Sequence, residues 1–148
     1  GYSIKKLMAH ISGHMGLRDS RSACIVGLGR LGTAILNYER LAASGLNIIA
    51  GFDSNINKLE TIRTAIPLFP AYEISKVVKR LRIELAVLAV PAIAAAEAAQ
   101  RLVDGGIHGI VNFSPAVLKP AEGVFVRNID LVGEFRILSV LSLLHTKP

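Results

Sequence analysis

Thiol chemistry is nearly absent from this 148-residue chain, whose one cysteine is Cys24. That excludes an intrachain disulfide framework and a cysteine zinc site, and it makes a reducing cytoplasm the expected compartment. Long apolar runs are lacking too. The longest uncharged one, Leu85 to Ala96, is broken by Pro91 and is shorter than the roughly 20 residues of a membrane span, so no membrane partner is expected. Gly1-Tyr2-Ser3 opens without methionine and without the basic-then-apolar order of a signal peptide, and the chain is expected to be a piece of something longer. Runs of a single charge are also missing. Seventeen basic residues against 11 acidic ones give +6, yet no basic run exceeds two. The balance suits an anionic partner without establishing nucleic-acid binding. There is no repeat and no low-complexity segment.

What is present is the composition of one globular domain, 51% hydrophobic and 19% charged, long enough to bury roughly 68% of its unfolded surface. From Ala23 onward, short β-rich apolar runs alternate with helical stretches. The runs carry no polar alternation, as strands covered on both faces require. Strands are expected at Ala23 to Val26, Asn47 to Asp53, weakly at Pro67 to Tyr72, and at Leu85 to Val90, Gly109 to Phe113 and Val124 to Asn128. Helices are expected at Leu31 to Ser44, Ile74 to Leu81 and Ala92 to Asp104, the last stopped by Gly105-Gly106. The fold class is therefore α/β, a Rossmann-type doubly wound parallel sheet.

Two end segments stand outside that rhythm. Ser3 to Leu17 carries Ile4, Leu7, Met8 and Ile11 at helical spacing, followed by the linker Arg18-Asp19-Ser20-Arg21. Leu131 to Leu144 is apolar nearly all the way round, so a helix there has to be covered on more than one side. A second subunit can supply the cover that a small single-sheet domain lacks. A crossing helix packed wholly inside its own chain is the alternative.

Gly27-Leu28-Gly29-Arg30-Leu31-Gly32 follows the first strand and opens the first helix, the context in which G-x-G-x-x-G binds a dinucleotide. Gly27 permits a tight turn, Gly29 admits the pyrophosphate to the backbone, and Gly32 lets helix and strand pack closely. Asp53 lies 21 residues beyond Gly32 at the end of the second strand, where a carboxylate accepts the adenosine ribose hydroxyls and repels a 2′-phosphate. NAD is thus favoured over NADP, with Lys58 tempering the exclusion. Capping of the turn Ser54-Asn55-Ile56-Asn57-Lys58 is the competing role for Asp53.

Ligands of open parallel sheets sit outside the carboxyl ends of the strands. Tyr38, the segment Val90-Pro91-Ala92 and the segment Asn112-Phe113-Ser114-Pro115 therefore join the candidates. Phe113 is suited to pack on a nicotinamide ring, and Asn112 and Ser114 to bond a carboxamide or ribose; ordinary turn chemistry explains them equally well. No catalytic set appears. His108 precedes the fifth strand and falls on the opposite sheet edge, His10 and His14 lie on the front helix, and His145 lies at the end. They assemble no metal cluster and no Ser-His-Asp set. Cys24 lies inside the first strand, where an inert thiol is expected.

The sequence resembles the Rex family of redox-sensing transcriptional repressors. The resemblance rests on Val26 to Gly32, Ala50-Gly51-Phe52-Asp53, Leu88 to Ala92, Gly105 to Pro115 and Val126 to Leu131, in that order and ended by an apolar helix. It implies a homodimer that binds NADH or NAD+ in the Rossmann domain and operator DNA through an N-terminal winged helix. By that resemblance, residues 1–21 are the remnant and linker helix of a winged-helix domain, 22–130 the cofactor domain and 131–148 a dimerisation helix swapped between protomers. Tyr38 and Phe113 would flank the nicotinamide, and Asp130 would pair with a winged-helix arginine across the dimer. Operator binding would require an intact chain that carries the winged helix. The resemblance implies a switch and no enzyme. Two alternatives stay open: a fragment of an NAD-dependent dehydrogenase, and a regulatory Rossmann domain in which the same glycines hold CoA.

Overall fold

The computed structural model describes Ile4, Lys6 and residues 20–146. Ile4 and Lys6 are helical; the rest of the expected helix from Ser3 to Leu17, and its linker as far as Asp19, lie outside the described residues. Six strands form one sheet: β1 (Arg21–Val26), β2 (Leu46–Asp53), β3 (Leu68–Pro70), β4 (Leu85–Leu88), β5 (Gly109–Asn112) and β6 (Phe125–Asn128). Their order is β3-β2-β1-β4-β5-β6, and every pairing is parallel. The direction of winding reverses between β1 and β4, which opens a crevice at the carboxyl ends of those two strands.

Helices cover both faces because the central strands are apolar on both. Cys24, Val26, Ala86 and Leu88 point into one core with Ile74, Val77 and Val78 of α4 (Ile74–Leu81) and Ala95, Ala98 and Leu102 of α5 (Ala92–Gly105). Ile25 and Val87 point the other way, against Leu28 and Leu36 of the loop and helix α1 (Arg30–Leu36). The buried positions of α4 and α5 recur at three and four residues, the helical repeat. Gly106 ends α5 in the left-handed conformation, φ 97°, which glycine adopts freely.

Several boundaries differ from expectation. The strand expected from Pro67 to Tyr72 covers only Leu68–Pro70, and Ala71–Glu73 wind into a single 3-10 turn that leads into α4. The helix expected from Leu31 to Ser44 is broken into α1 and α2 (Glu39–Ala43). Asn37 Nδ2 donates to the Thr33 carbonyl at 3.0 Å, and Tyr38 is extended with ψ 102°; an asparagine whose side chain competes for helical carbonyls favours such an end. The stretch after β2, expected as a turn, winds into α3 (Ile56–Thr61), where the Asn55 side chain accepts from the Asn57 N–H at 3.0 Å as an N-cap. Finally, β4 ends at Leu88 and not at Val90; the Ala89 N–H still donates to the Val26 carbonyl of β1 at 2.8 Å, and the chain leaves the sheet after it.

The last helix, α6 (Leu131–Thr146), is the exception to the packing. Phe135, Leu138 and Leu141 keep 64%, 58% and 55% of their surface exposed. Its start is well built all the same: Asp130 Oδ1 accepts the Gly133 N–H at 3.0 Å, and the Asp130 carbonyl accepts the Glu134 N–H.

Candidate functional site at the sheet switch point

A cleft of about 560 Å3 lies at the switch point. The glycine loop between β1 and α1 forms one wall. Gly27 has φ 98°, and a Cβ there would overlap the Ala89 carbonyl; a Cβ on Gly32 would overlap the Gly27 carbonyl. The loop therefore closes on β4 and on itself with no room for side chains. Gly29 differs: nothing lies within 4 Å of where its Cβ would stand. Gly29 is the N-cap of α1, and the first N–H groups of a helix have no intrahelical acceptor, so a phosphate can reach the backbone there.

Asp53 ties the loop to the end of β2. One carboxylate oxygen accepts the Leu28 N–H at 2.8 Å and the other accepts the Asn55 N–H at 2.8 Å. With 8% of its surface exposed, Asp53 still lines the cleft. The capping role weighed for it is thus real, since it holds the β2–α3 turn. Each carboxylate oxygen has further lone-pair capacity, so the same group remains able to accept a ribose hydroxyl.

The structure brings Gly27, Gly29, Arg30, Leu31, Asp53, Val90 and Pro91 to this one cleft. Leu28 turns into the core and Gly32 is buried beneath the loop. Tyr38, Asn112, Phe113, Ser114 and Pro115 do not line it. Tyr38 is half exposed at the α1–α2 break, and Phe113 packs in part against the core of Ile25, Leu28, Leu36 and Val87. The Asn112 side chain is committed internally: its Nδ2 donates to the Ala116 carbonyl and Asn128 Oδ1, and its Oδ1 accepts the N–H and hydroxyl of Ser114. The polar atoms expected to meet a carboxamide thus brace their own loop.

Sequence reasoning did not place Ala71, Ala94, Glu97, Ala98 or Arg101 in this site, yet all line the cleft. The available signal was periodicity, because Ala94, Ala98 and Arg101 fall on one stripe of α5. Arg30, Lys58 and Arg101 bring cations to the cleft, and Asp53 and Glu97 bring carboxylates. An anionic, hydroxyl-rich ligand suits that mixture. Its glycine vacancy and its carboxylate fit the adenosine diphosphate portion of a dinucleotide.

Elsewhere, a cavity of about 680 Å3 lies at the other end of the strands, lined by Arg21, Glu84 and His108 among others, so His108 is remote from the glycine loop. Cys24 is fully buried in β1, and burial pushes its thiol up to about 12, which keeps it protonated and unreactive. Among the described residues no group of three His, Cys, Asp or Glu is placed to hold a metal, and no helix is long and apolar enough to cross a membrane.

Comparison with known proteins gives these features a context. The family model of the CoA binding domain matches residues 18–116. The redox-sensing transcriptional repressor Rex of Limosilactobacillus fermentum is 34% identical over 138 residues, which is 93% of this chain and 64% of that protein. The Rex of Carboxydothermus hydrogenoformans is 33% identical over 94% of this chain and 67% of that protein. The crystal structure of RSP, a Rex-family repressor, in complex with NAD+ and operator DNA superposes with a TM-score of 0.81 at 29% identity, covering 94% of this chain and 64% of that one. RSP in complex with NADH gives a TM-score of 0.78. The chain thus spans slightly under two thirds of the length of the Limosilactobacillus repressor.

Proposed function

Given that the chain belongs to the CoA-binding domain family and to the Rex redox-sensing transcriptional repressors, we propose that it is the part of such a repressor that binds NADH and NAD+ and forms the homodimer. The observation that carries the reading is the closure of the glycine loop and Asp53 on one cleft at the switch point. Gly27, Gly29 and the start of α1 would take the pyrophosphate, Asp53 the adenosine ribose, and Val90-Pro91 the wall beneath. Tyr38 and Phe113 would flank the nicotinamide, with the segment Asn112 to Pro115 shaping that end. Residues 131–148 would supply the dimer contact, as the exposed apolar surface of α6 suggests. Operator DNA, which RSP binds in its crystal structure, would be the partner of a protein that also carries a winged helix, with residues 1–21 leading to it, and the cytoplasm its location.

In this reading the protein switches and does not turn substrate over. Two redox forms compete for one site, and only a difference in their affinity for two arrangements of the protomers can shift the equilibrium. A 100-fold difference supplies about 2.7 kcal/mol per site.

Calorimetric titration with NADH, NAD+, NADPH and CoA tests this directly. NADH should bind at least about tenfold more tightly than NAD+, with NADPH weak because Asp53 faces the ribose. A chain that binds CoA and neither redox form would overturn the redox reading in favour of the CoA one, and NADH oxidation with a small carbonyl substrate would favour a dehydrogenase.

A further inference from the structure

We infer that Arg101 forms the purine end of the cleft, its guanidinium stacking on the adenine ring of the bound dinucleotide while Glu97 holds it in place. The inference rests on the dinucleotide reading above and gives a role to a residue that reading leaves idle. Helix α5 begins beside the phosphate loop, because Gly27 abuts Ala89 and Val90 and Pro91 is the N-cap. Arg101 lies ten residues further along, about 15 Å by helical rise, and helical side chains lean back toward the N-terminus. The guanidinium is therefore offset from the phosphates by the span of a ribose and a base. A cation at that remove is not accounted for by the charge of the diphosphate.

Its surroundings suit a flat ring. Ala94 and Ala98 occupy the same stripe of α5 and line the cleft with it, leaving a low floor without protruding side chains. Arg101 Nη2 donates to Glu97 Oε1 at 2.6 Å. The arginine side chain is one third exposed whereas Glu97 is 70% exposed, so the guanidinium is held along the wall with part of its surface open. A planar guanidinium stacks on aromatic faces as a lysine ammonium cannot. The Arg101 carbonyl accepts the Ser75 hydroxyl at 2.9 Å, a backbone bond that side-chain substitution leaves in place. Glu97 acts through the arginine and is a positioning residue.

The test titrates the chain and its Arg101→Ala, Arg101→Lys and Glu97→Gln variants with NADH, NAD+ and ADP-ribose, with thermal melts to show that each is folded. Arg101→Ala should weaken NADH and ADP-ribose alike, by about five- to twentyfold, and leave the ratio of NADH to NAD+ affinity unchanged. Arg101→Lys should fall close to the alanine variant. Glu97→Gln should weaken binding by a smaller factor and add nothing when combined with Arg101→Ala. Wild-type affinity in Arg101→Ala would overturn the inference, and full rescue by lysine would assign the site to charge and overturn the stacking role. If the unaltered chain binds no dinucleotide, the functional reading itself fails and the assignment of Arg101 falls with it.

Discussion

The three fingerprint glycines do different physical work. Gly27 and Gly32 are packing glycines: each stands where a Cβ would overlap a backbone carbonyl. Gly29 has a negative φ of −77° in extended backbone and open space at its Cβ position. Alanine at position 32 should therefore destabilise the fold by several kcal/mol, about the largest class of single-residue effects. Alanine at 29 should leave the melting temperature within about 2 °C while weakening NADH binding at least about tenfold, because the methyl group would occupy the space offered to the phosphate. Differential scanning fluorimetry with and without NADH separates the two, and equal losses of stability in both variants would contradict the assignment. Asp53 is a less clean probe. Removing its carboxylate would also orphan the buried Leu28 N–H, at a cost of about 1–3 kcal/mol.

Among the elements, the loop after β5 shows how one buried amide can organise a segment. Asn112 is 1% exposed and makes four hydrogen bonds that join β5, the loop through Ala116 and Asn128 of β6. Asn128 in turn accepts from the Leu118 N–H and donates to its carbonyl. Asn112→Ala would leave the Ser114 N–H and hydroxyl and the Ala116 carbonyl without that partner. It should cost about 3 kcal/mol, lowering the melting temperature by roughly 6–12 °C, and hydrogen exchange should rise first in residues 113–128. An unchanged melt would mean that the amide is dispensable. In the sequence Asn112 and Ser114 read equally as ligands or as turn residues. Which bonds a buried amide makes depends on the neighbouring strand, sixteen positions away in Asn128, and no local pattern carries that.

At the scale of the whole molecule, α6 presents an apolar surface that a second subunit can cover. Its apolar residues are spread around the helix, and Phe135, Leu138 and Leu141 remain more than half exposed. A homodimer through this helix should give a species of twice 15.8 kDa in sedimentation equilibrium. Leu138→Glu with Leu141→Glu should shift it to monomer or to aggregates, because burying an unpaired carboxylate costs several kcal/mol. A dimer unaffected by the pair would place the interface elsewhere.

The strand rhythm, the parallel sheet and the glycine-loop end of the cleft were legible in the residues alone. Those features are written in local order: unbroken apolar runs, glycines at fixed offsets, and a carboxylate one strand later. Ile74–Leu81 appears in the structure with the boundaries its periodicity predicts. The end of α1 at Asn37 and the start of α3 at Asn55 rest on side-chain bonds within four residues and were written locally. Only the folded sheet decided that Tyr38 and Phe113 stand apart from the cleft while Glu97 and Arg101 enter it. These outcomes depend on which surfaces the folded sheet presents to one another, through contacts between residues distant in the chain, whereas the fingerprint depends on the backbone torsions of six consecutive residues.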